Sequence, residues 1–512
     1  MFLVQINSIL NKKMRQSILN PFEKYVGADR LRSPLILITL LGIYLLSALI
    51  IAKFGIVSGF MLIVLPFGLL YFYRLFKNPI IGLYTAVAAG FLLLGIGRYV
   101  TNVQVGLGMD AILTLTFLAL FFKQFYTRIN WTPVQKDVMF LAFIWLMYAI
   151  FQLVNPEAQS SEAWFSGRGT SLYMFLLIPL ALLLIDNKDK LNIFFYIWGI
   201  FSVLATIKGI MQVNIGLDPW EQAWLSIEGN RSTHILFGKL RVFSFLSDAG
   251  QFGANQGYSG VMATIMALNQ NNWKNRIFFA LVALLGFYGM IISGTRGAMS
   301  VPFAGFSLYF ILKKNLPVMI GGFILLAGFF IFFKFTSIGQ DNPEIRRMRS
   351  AFDPNNPSLQ VRLANQKKLS TYLASRPFGG GIGHAGGKAR KFLPNAFLTN
   401  TPPDSWYVLI WAEQGIVGLT LHLAILFYII IKSSWKIMYK IRDPIVKMKM
   451  AALTCGMFGI MAASYGNMVL GQMPTSILIY TSMALMLNSE VFDEQETHDE
   501  ETKRIELKSI YS

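Results

Sequence analysis

The chain has 512 residues, 54% hydrophobic and 14% charged, with 45 Lys and Arg against 26 Asp and Glu for a formal charge of +19. A soluble domain carries about 25% charged residues, so the composition argues against a cytosolic globular protein, and the apolar excess makes a nucleic-acid partner unexpected despite the basic balance. A single cysteine, Cys455, rules out a disulfide scaffold.

A membrane span needs about 20 mostly apolar residues. On that template fourteen stretches qualify, near 34–52, 55–73, 78–97, 104–122, 136–154, 169–186, 191–213, 252–269, 275–293, 297–312, 316–334, 405–432, 448–466 and 472–488. Residues 1–33 are basic and amphipathic, without the apolar core and small-residue site of a cleaved signal. The expected fold is therefore an all-α, polytopic integral membrane protein of about 12–14 transmembrane helices, solvated by membrane lipids.

Sidedness follows from Lys and Arg in short loops. With the N-terminus cytoplasmic, the loops on that side carry Arg74 and Lys77; Lys123, Arg128 and Lys136; Lys188 and Lys190; Lys274 and Arg276; Lys313 and Lys314; and a run from Lys432 to Lys449. The short loops of the other side have one basic residue at most, namely Lys53, Arg98 or Arg168. Both termini are thus expected in the cytoplasm, 1–33 as a basic start and 489–512 as an acidic tail. Two longer external segments are expected at about 214–251 and at 335–404, between the helices of 34–334 and those of 405–488.

Four external elements carry chemistry. Arg241 and Asp248 lie in RVFSFLSDAGQFG at 241–253, and Arg296 lies between two spans in IISGTRGAM at 291–299. The loop 335–404 holds ten Lys and Arg against four Asp and Glu. Its glycines Gly379, Gly380, Gly381 and Gly383 suit an anion bound by backbone N–H groups with arginine forks beside it. Next, Pro402 and Pro403 precede a helix start with Asp404 or Ser405 as N-cap. Glu413 falls about two turns inside the following apolar helix, where an acid faces a wet cavity, a partner or a structural hydrogen bond. His384, inside the glycine cluster, is the one histidine weighed as chemical; the four in the chain are not at metal-ligand spacing. No metal site and no cofactor are expected.

The order of these motifs resembles the O-antigen ligase and O-antigen polymerase superfamily of bacterial envelope glycosyltransferases. The likeness rests on S-G-T-R-G at 293–297, on D-P-N-N-P-S-L-Q-V-R at 353–362 leading to R-P-F-G-G-G-I-G at 376–383, and on W-A-E-Q-G-I-V-G at 411–418. It implies a glycosyltransferase C-like fold with a large periplasmic loop late in the chain. It also implies metal-independent, inverting transfer of a glycan from undecaprenyl diphosphate to a glycan or lipid A core acceptor, at the periplasmic face of the bacterial inner membrane. Family arginines taken to bind the diphosphate match Arg296 and Arg362; Arg241 is a third candidate. Candidate bases are Asp404, Glu413 and His384. Ligases carry a His-Asn pair just before the last motif, where this chain has Pro403-Asp404-Ser405, so ligase and polymerase readings both stand. A lipid-linked glycan flippase is the alternative outside enzymes, and no repeat of two similar halves favours it.

Overall fold

The computed structural model describes residues 34–100 and 106–493, apart from positions 228, 237, 342 and 354. The basic start 1–33 and the tail beyond 493 lie outside the described residues. Two compact units are present, Met1–Leu75 and Phe76–Ser512. The first supplies α1 (Pro34–Phe54) and most of α2 (Ile56–Lys77), separated at Gly55.

The second unit is almost wholly helical. In chain order it holds α3 (Ile80–Ile96), α4 (Gly106–Tyr126), α5 (Asp137–Phe151), the short α6 (Ser161–Gly167), α7 (Gly169–Leu184) and α8 (Lys188–Asn214). Short helices α9 (Pro219–Ser226) and α10 (Asn230–His234) follow, with a two-stranded hairpin of Ile235–Leu236 and Lys239–Leu240. Then come α11 (Ala249–Leu268), α12 (Trp273–Ile292), a 3₁₀ turn at Arg296–Met299, α13 (Ser300–Leu312) and α14 (Leu316–Phe335). The expected long loop contains α15 (Pro343–Arg349) and α16 (Pro357–Leu373), and the chain closes with α17 (Trp406–Tyr439), α18 (Pro444–Ala463) and α19 (Thr475–Leu487).

Each of the fourteen stretches expected to span the membrane overlaps helix, although the one at 405–432 is broken at Gly415. Among the described residues, seven helices are long and apolar enough to cross, and α6 with α7, bent by 43°, make an eighth if joined. Ile80–Ile96, Arg296–Leu312 and Thr475–Leu487 are apolar but shorter. The protein is a multi-pass, all-α membrane protein.

The loops of the second unit fall into two sets, each bonded within itself. At one end, Arg98 donates to Ser244 O (2.8 Å), Gln152 to Phe378 O (3.0 Å), Arg241 to Thr295 Oγ1 (3.0 Å) and Ser405 Oγ to Ser464 O (3.2 Å). At the opposite end, Tyr84 donates to Lys190 O (2.8 Å), while Lys188 pairs with Asp443 (2.7 Å) and Lys436 with Glu490 (2.6 Å). Alternation of the helices between these ends follows directly.

The core is organised around α11, which packs against α8, α12, α13 and α18. Its N-terminal half is polar for a span, with Gln251, Asn255, Gln256 and Ser259 fully buried. Interhelical hydrogen bonds satisfy several of these groups, as bilayer interiors demand: Ser202 Oγ donates to Gln256 (2.7 Å), Trp198 Nε1 to Ser259 (2.8 Å) and Gln251 Nε2 to Thr475 (2.7 Å). Close approach of α11 and α12 depends on small residues. A Cβ on Gly286 would lie 2.9 Å from Gln256 O and 3.0 Å from Gly260 N. Gly286→Val is therefore expected to lower the thermal midpoint of the purified protein, whereas Gly321→Val, with nothing within 4 Å of its Cβ, leaves it unchanged.

Candidate active site

The last motif is a helix reversal. Thirty-four residues in one α-helix would run about 51 Å, well beyond a hydrocarbon layer of ~30 Å. Helix α17 breaks at Gly415, whose φ of 68° and ψ of −172° are non-helical. Trp406 Nε1 donates to His422 Nε2 at 3.0 Å, although sixteen residues of straight helix would separate them by about 24 Å. Residues 406–414 thus form a short arm that doubles back on the span 416–439.

Such a break leaves the carbonyls of one helix end and the amides of the next without partners. The glycine loop supplies both. Gly380 N and Gly381 N donate to Ala412 O (2.9 Å) and Glu413 O (2.8 Å), while Pro377 O accepts from Val417 N (3.2 Å). Tyr148 OH takes Gln414 O at 2.7 Å. Gln152 and Asn155 in turn donate to Phe378 O (3.0 and 3.2 Å) and Asn155 to Gly379 O (3.2 Å). The backbones touch: a Cβ on Gly415 would sit 1.9 Å from Pro377 O, and one on Gly379 would sit 2.4 Å from Gly415 N.

This corrects the expectation that the glycine amides hold an anion, because the N–H groups of Gly380 and Gly381 are spent on helix carbonyls. It also corrects the depth assigned to Glu413. The reversal brings Glu413 to the far end of the arm, against the glycine loop, where Oε1 accepts from Ala385 N at 3.3 Å. His384 belongs to the same splice. Its Nε2 accepts from Ser160 N (3.1 Å), so Nδ1 carries the proton and donates to Ile382 O (3.0 Å). Burial pushes its pKa down, and the neutral ring ties the loop to α6.

A second constellation lies at the same end. Arg241 donates to Thr233 O (2.9 Å) and Thr295 Oγ1 (3.0 Å), and Arg296 to Ser350 Oγ (3.1 Å). Arg347 on α15 packs against Gly294, whose Cβ would lie 2.8 Å from Nη1. Burial lowers the pKa of Arg241; Asp248 opposes the shift, and Arg296 and Arg362 add to it. Burial, then Arg241 and Arg296, lower that of Arg347 to about 10. Like charges held together in this way favour an anion. Among the described residues none of Arg296, Arg347 and Arg362 forms an ion pair with a carboxylate.

Asp404 adjoins this cluster. Its φ of 48° is unusual for a non-glycine residue, and its carboxylate accepts no hydrogen bond from a described residue. Burial raises its pKa, with Arg362 opposing. Helix α17 begins after Ser405, not Asp404, and Ser405 caps nothing with its side chain; Trp406 N donates instead to Ser464 O (3.0 Å) and Asn467 O (3.3 Å). The structure therefore gathers Arg241, Arg296, Arg362 and Asp404, and gives Glu413 and His384 to the splice.

Residues 280–423 match the family model for O-antigen ligases. Over this stretch the chain is similar to the O-antigen ligases. The match runs from α12 through the 3₁₀ turn, α13 to α16 and the glycine loop to just past the reversal, and supports placing the chain in the O-antigen ligase/polymerase superfamily. No curated protein matches the chain. The matched stretch contains Arg296, Arg347, Arg362 and Asp404, whereas Arg241 comes from outside it. Arg347 escaped the sequence reading because three arginines in IRRMR are alike in sequence, and only the seating of α15 selects one.

The splice has a direct test. Backbone angles like those of Gly415 are essentially restricted to glycine and cost other residues about 1–3 kcal/mol, before the clash with Pro377 O is counted. Gly415→Ala is expected to lower the thermal midpoint and the yield of folded protein, while Gly387→Ala, with nothing within 4 Å of its Cβ, changes neither.

Proposed function

We propose that this protein is an O-antigen ligase-like glycosyltransferase. It moves a glycan from undecaprenyl diphosphate to an acceptor hydroxyl on a glycan or on the lipid A core. The observation that carries this reading is the group of arginines that, among the described residues, have no carboxylate partner, beside the half-buried carboxyl of Asp404.

In the proposed reaction the acceptor oxygen attacks the anomeric carbon, with inversion. The bond from that carbon to the phosphate oxygen breaks, and the lipid diphosphate leaves with the electron pair. Negative charge grows on the leaving group, where Arg296, Arg347 and Arg362 are placed to meet it; one fixed donor of this kind is worth about 3–4 kcal/mol. Arginine forks suit phosphate oxygens better than a lysine point charge does. Arg241, with two donors already tethered, holds the 3₁₀ turn and adds charge. The acceptor proton passes to Asp404, whose raised pKa makes it a stronger base than an exposed aspartate. No step draws on a metal ion.

We further propose that the arginine end faces the periplasm from the inner membrane and that both termini are cytoplasmic. The contrast in short-loop Lys and Arg between the two ends supports this. A polymerase acting on the same donor is the second reading, favoured by Pro403-Asp404-Ser405 standing where ligases carry His-Asn.

Deletion of the gene, followed by gel analysis of surface glycan, tests the reaction. Loss of all glycan on the lipid A core is the expected result; capping by a single repeat unit would make the enzyme a polymerase. Arg296→Ala and Arg362→Ala should fail to complement at normal protein levels, and purified enzyme should keep its activity in EDTA. Full activity of both variants would overturn the clamp.

Orientation is tested separately in a Cys455→Ser background. Asn395→Cys is expected to react with an impermeant maleimide from the periplasm, and Lys440→Cys only after the membrane is opened. The reverse pattern would invert the protein.

A further inference from the structure

The turn between α18 and α19 has no place in the matched domain, yet it adjoins the arginines. Gly466 lies beside Arg362, with 3.9 Å between its would-be Cβ and Nη1. The Asn467 side chain occupies the space where a Cβ on Gly297 would stand, 2.0 Å from Nδ2. Gly297 directly follows Arg296 in S-G-T-R-G, so a glycine there admits the amide to the turn. The same segment holds the residues after Asp404, because Ser464 O accepts from Ser405 Oγ (3.2 Å) and from Trp406 N (3.0 Å).

Asn467 Nδ2 is buried and has no hydrogen-bond partner among the described residues. Buried polar atoms without partners are few in folded proteins, and each calls for an explanation. Burial, and then the nearby Arg362, lower the pKa of Arg296. The turn carrying Asn467 touches the neighbourhood of both.

We infer that Asn467 is a further substrate-contacting residue, donating its amide N–H to a phosphate oxygen of the diphosphate held by Arg296 and Arg362. The inference rests on the diphosphate reading above and deepens it. A neutral amide adds a directed donor without more positive charge in a site where guanidiniums already crowd together. It also gives the turn 464–467 a role in the reaction: the diphosphate would bridge the matched domain and the segment that follows it.

Inorganic pyrophosphate is the probe, titrated against full-length protein in detergent with the thermal midpoint as readout, since a ligand of the folded state raises it. Asn467→Ala removes the donor and keeps the backbone carbonyl that receives Trp406 N. Its midpoint without ligand should equal or exceed that of the unaltered protein, because an unpaired buried donor is lost. Its pyrophosphate affinity should fall about 10-fold or more, as for a hydrogen bond to a charged acceptor. Asn467→Asp, similar in shape but carrying a charge that repels phosphate, should bind more weakly still.

Arg296→Ala separates the two levels of the claim. Unchanged affinity in Asn467→Ala with lost affinity in Arg296→Ala overturns the role of Asn467 and leaves the diphosphate site standing. Unchanged affinity in Arg296→Ala overturns the diphosphate site itself. A fall in the ligand-free midpoint of Asn467→Ala with full pyrophosphate stabilisation would show a structural residue and end the inference.

Discussion

The reversal at Gly415 is the constraint on which the site depends. A helix that turns back inside a membrane protein exposes orphan carbonyls and amides, and in an apolar surrounding each must find a partner. The glycine loop meets that need with two N–H groups and one carbonyl, at a separation no side chain tolerates. Tyr148, Gln152 and Asn155 then occupy the remaining acceptors of arm and loop. Because α16 leads into this loop and the arm begins just after Asp404, fixing the splice also fixes where Arg362 and Asp404 stand.

The arginine group has the opposite character. Its members come from the segment after the hairpin, the 3₁₀ turn, α15 and α16, and their mutual repulsion opposes their being together. Local tethers hold Arg241 and Arg296 to Thr233, Thr295 and Ser350. What those bonds leave is a surplus of positive charge, with no carboxylate among the described residues bonded to Arg296, Arg347 or Arg362. A group in that state is poised for an anion, and the diphosphate leaving group of the proposed reaction gains charge as it departs.

Residue types announced part of this. Arg296 between two glycines and Arg362 in a loop helix are unusual for a membrane protein, and both belong to the arginine group. Glu413 and His384 were equally conspicuous, and the fold uses both to bind backbone. The difference lies in what surrounds them: Ser160 N and Ala385 N reach these side chains from positions that sequence distance does not reveal. Asn467 shows the converse, since an asparagine in a short turn gives no sign until Gly297 is found against it.

Hydrophobic length and charge are local properties, so the sequence alone determined that the chain is a multi-pass helical membrane protein and where its helices lie. It also determined that a basic loop late in the chain carries two of the stretches, 353–362 and 376–383, on which the family resemblance rests. Tertiary structure alone decided that the last motif is a reversal rather than the start of a simple span. It also decided which of the loop's arginines face the others, and that the glycine amides serve the fold rather than a ligand. The physical reason is hydrogen-bond accounting across long separations: a donor is free for substrate only if no distant carbonyl has claimed it, and that is settled by packing.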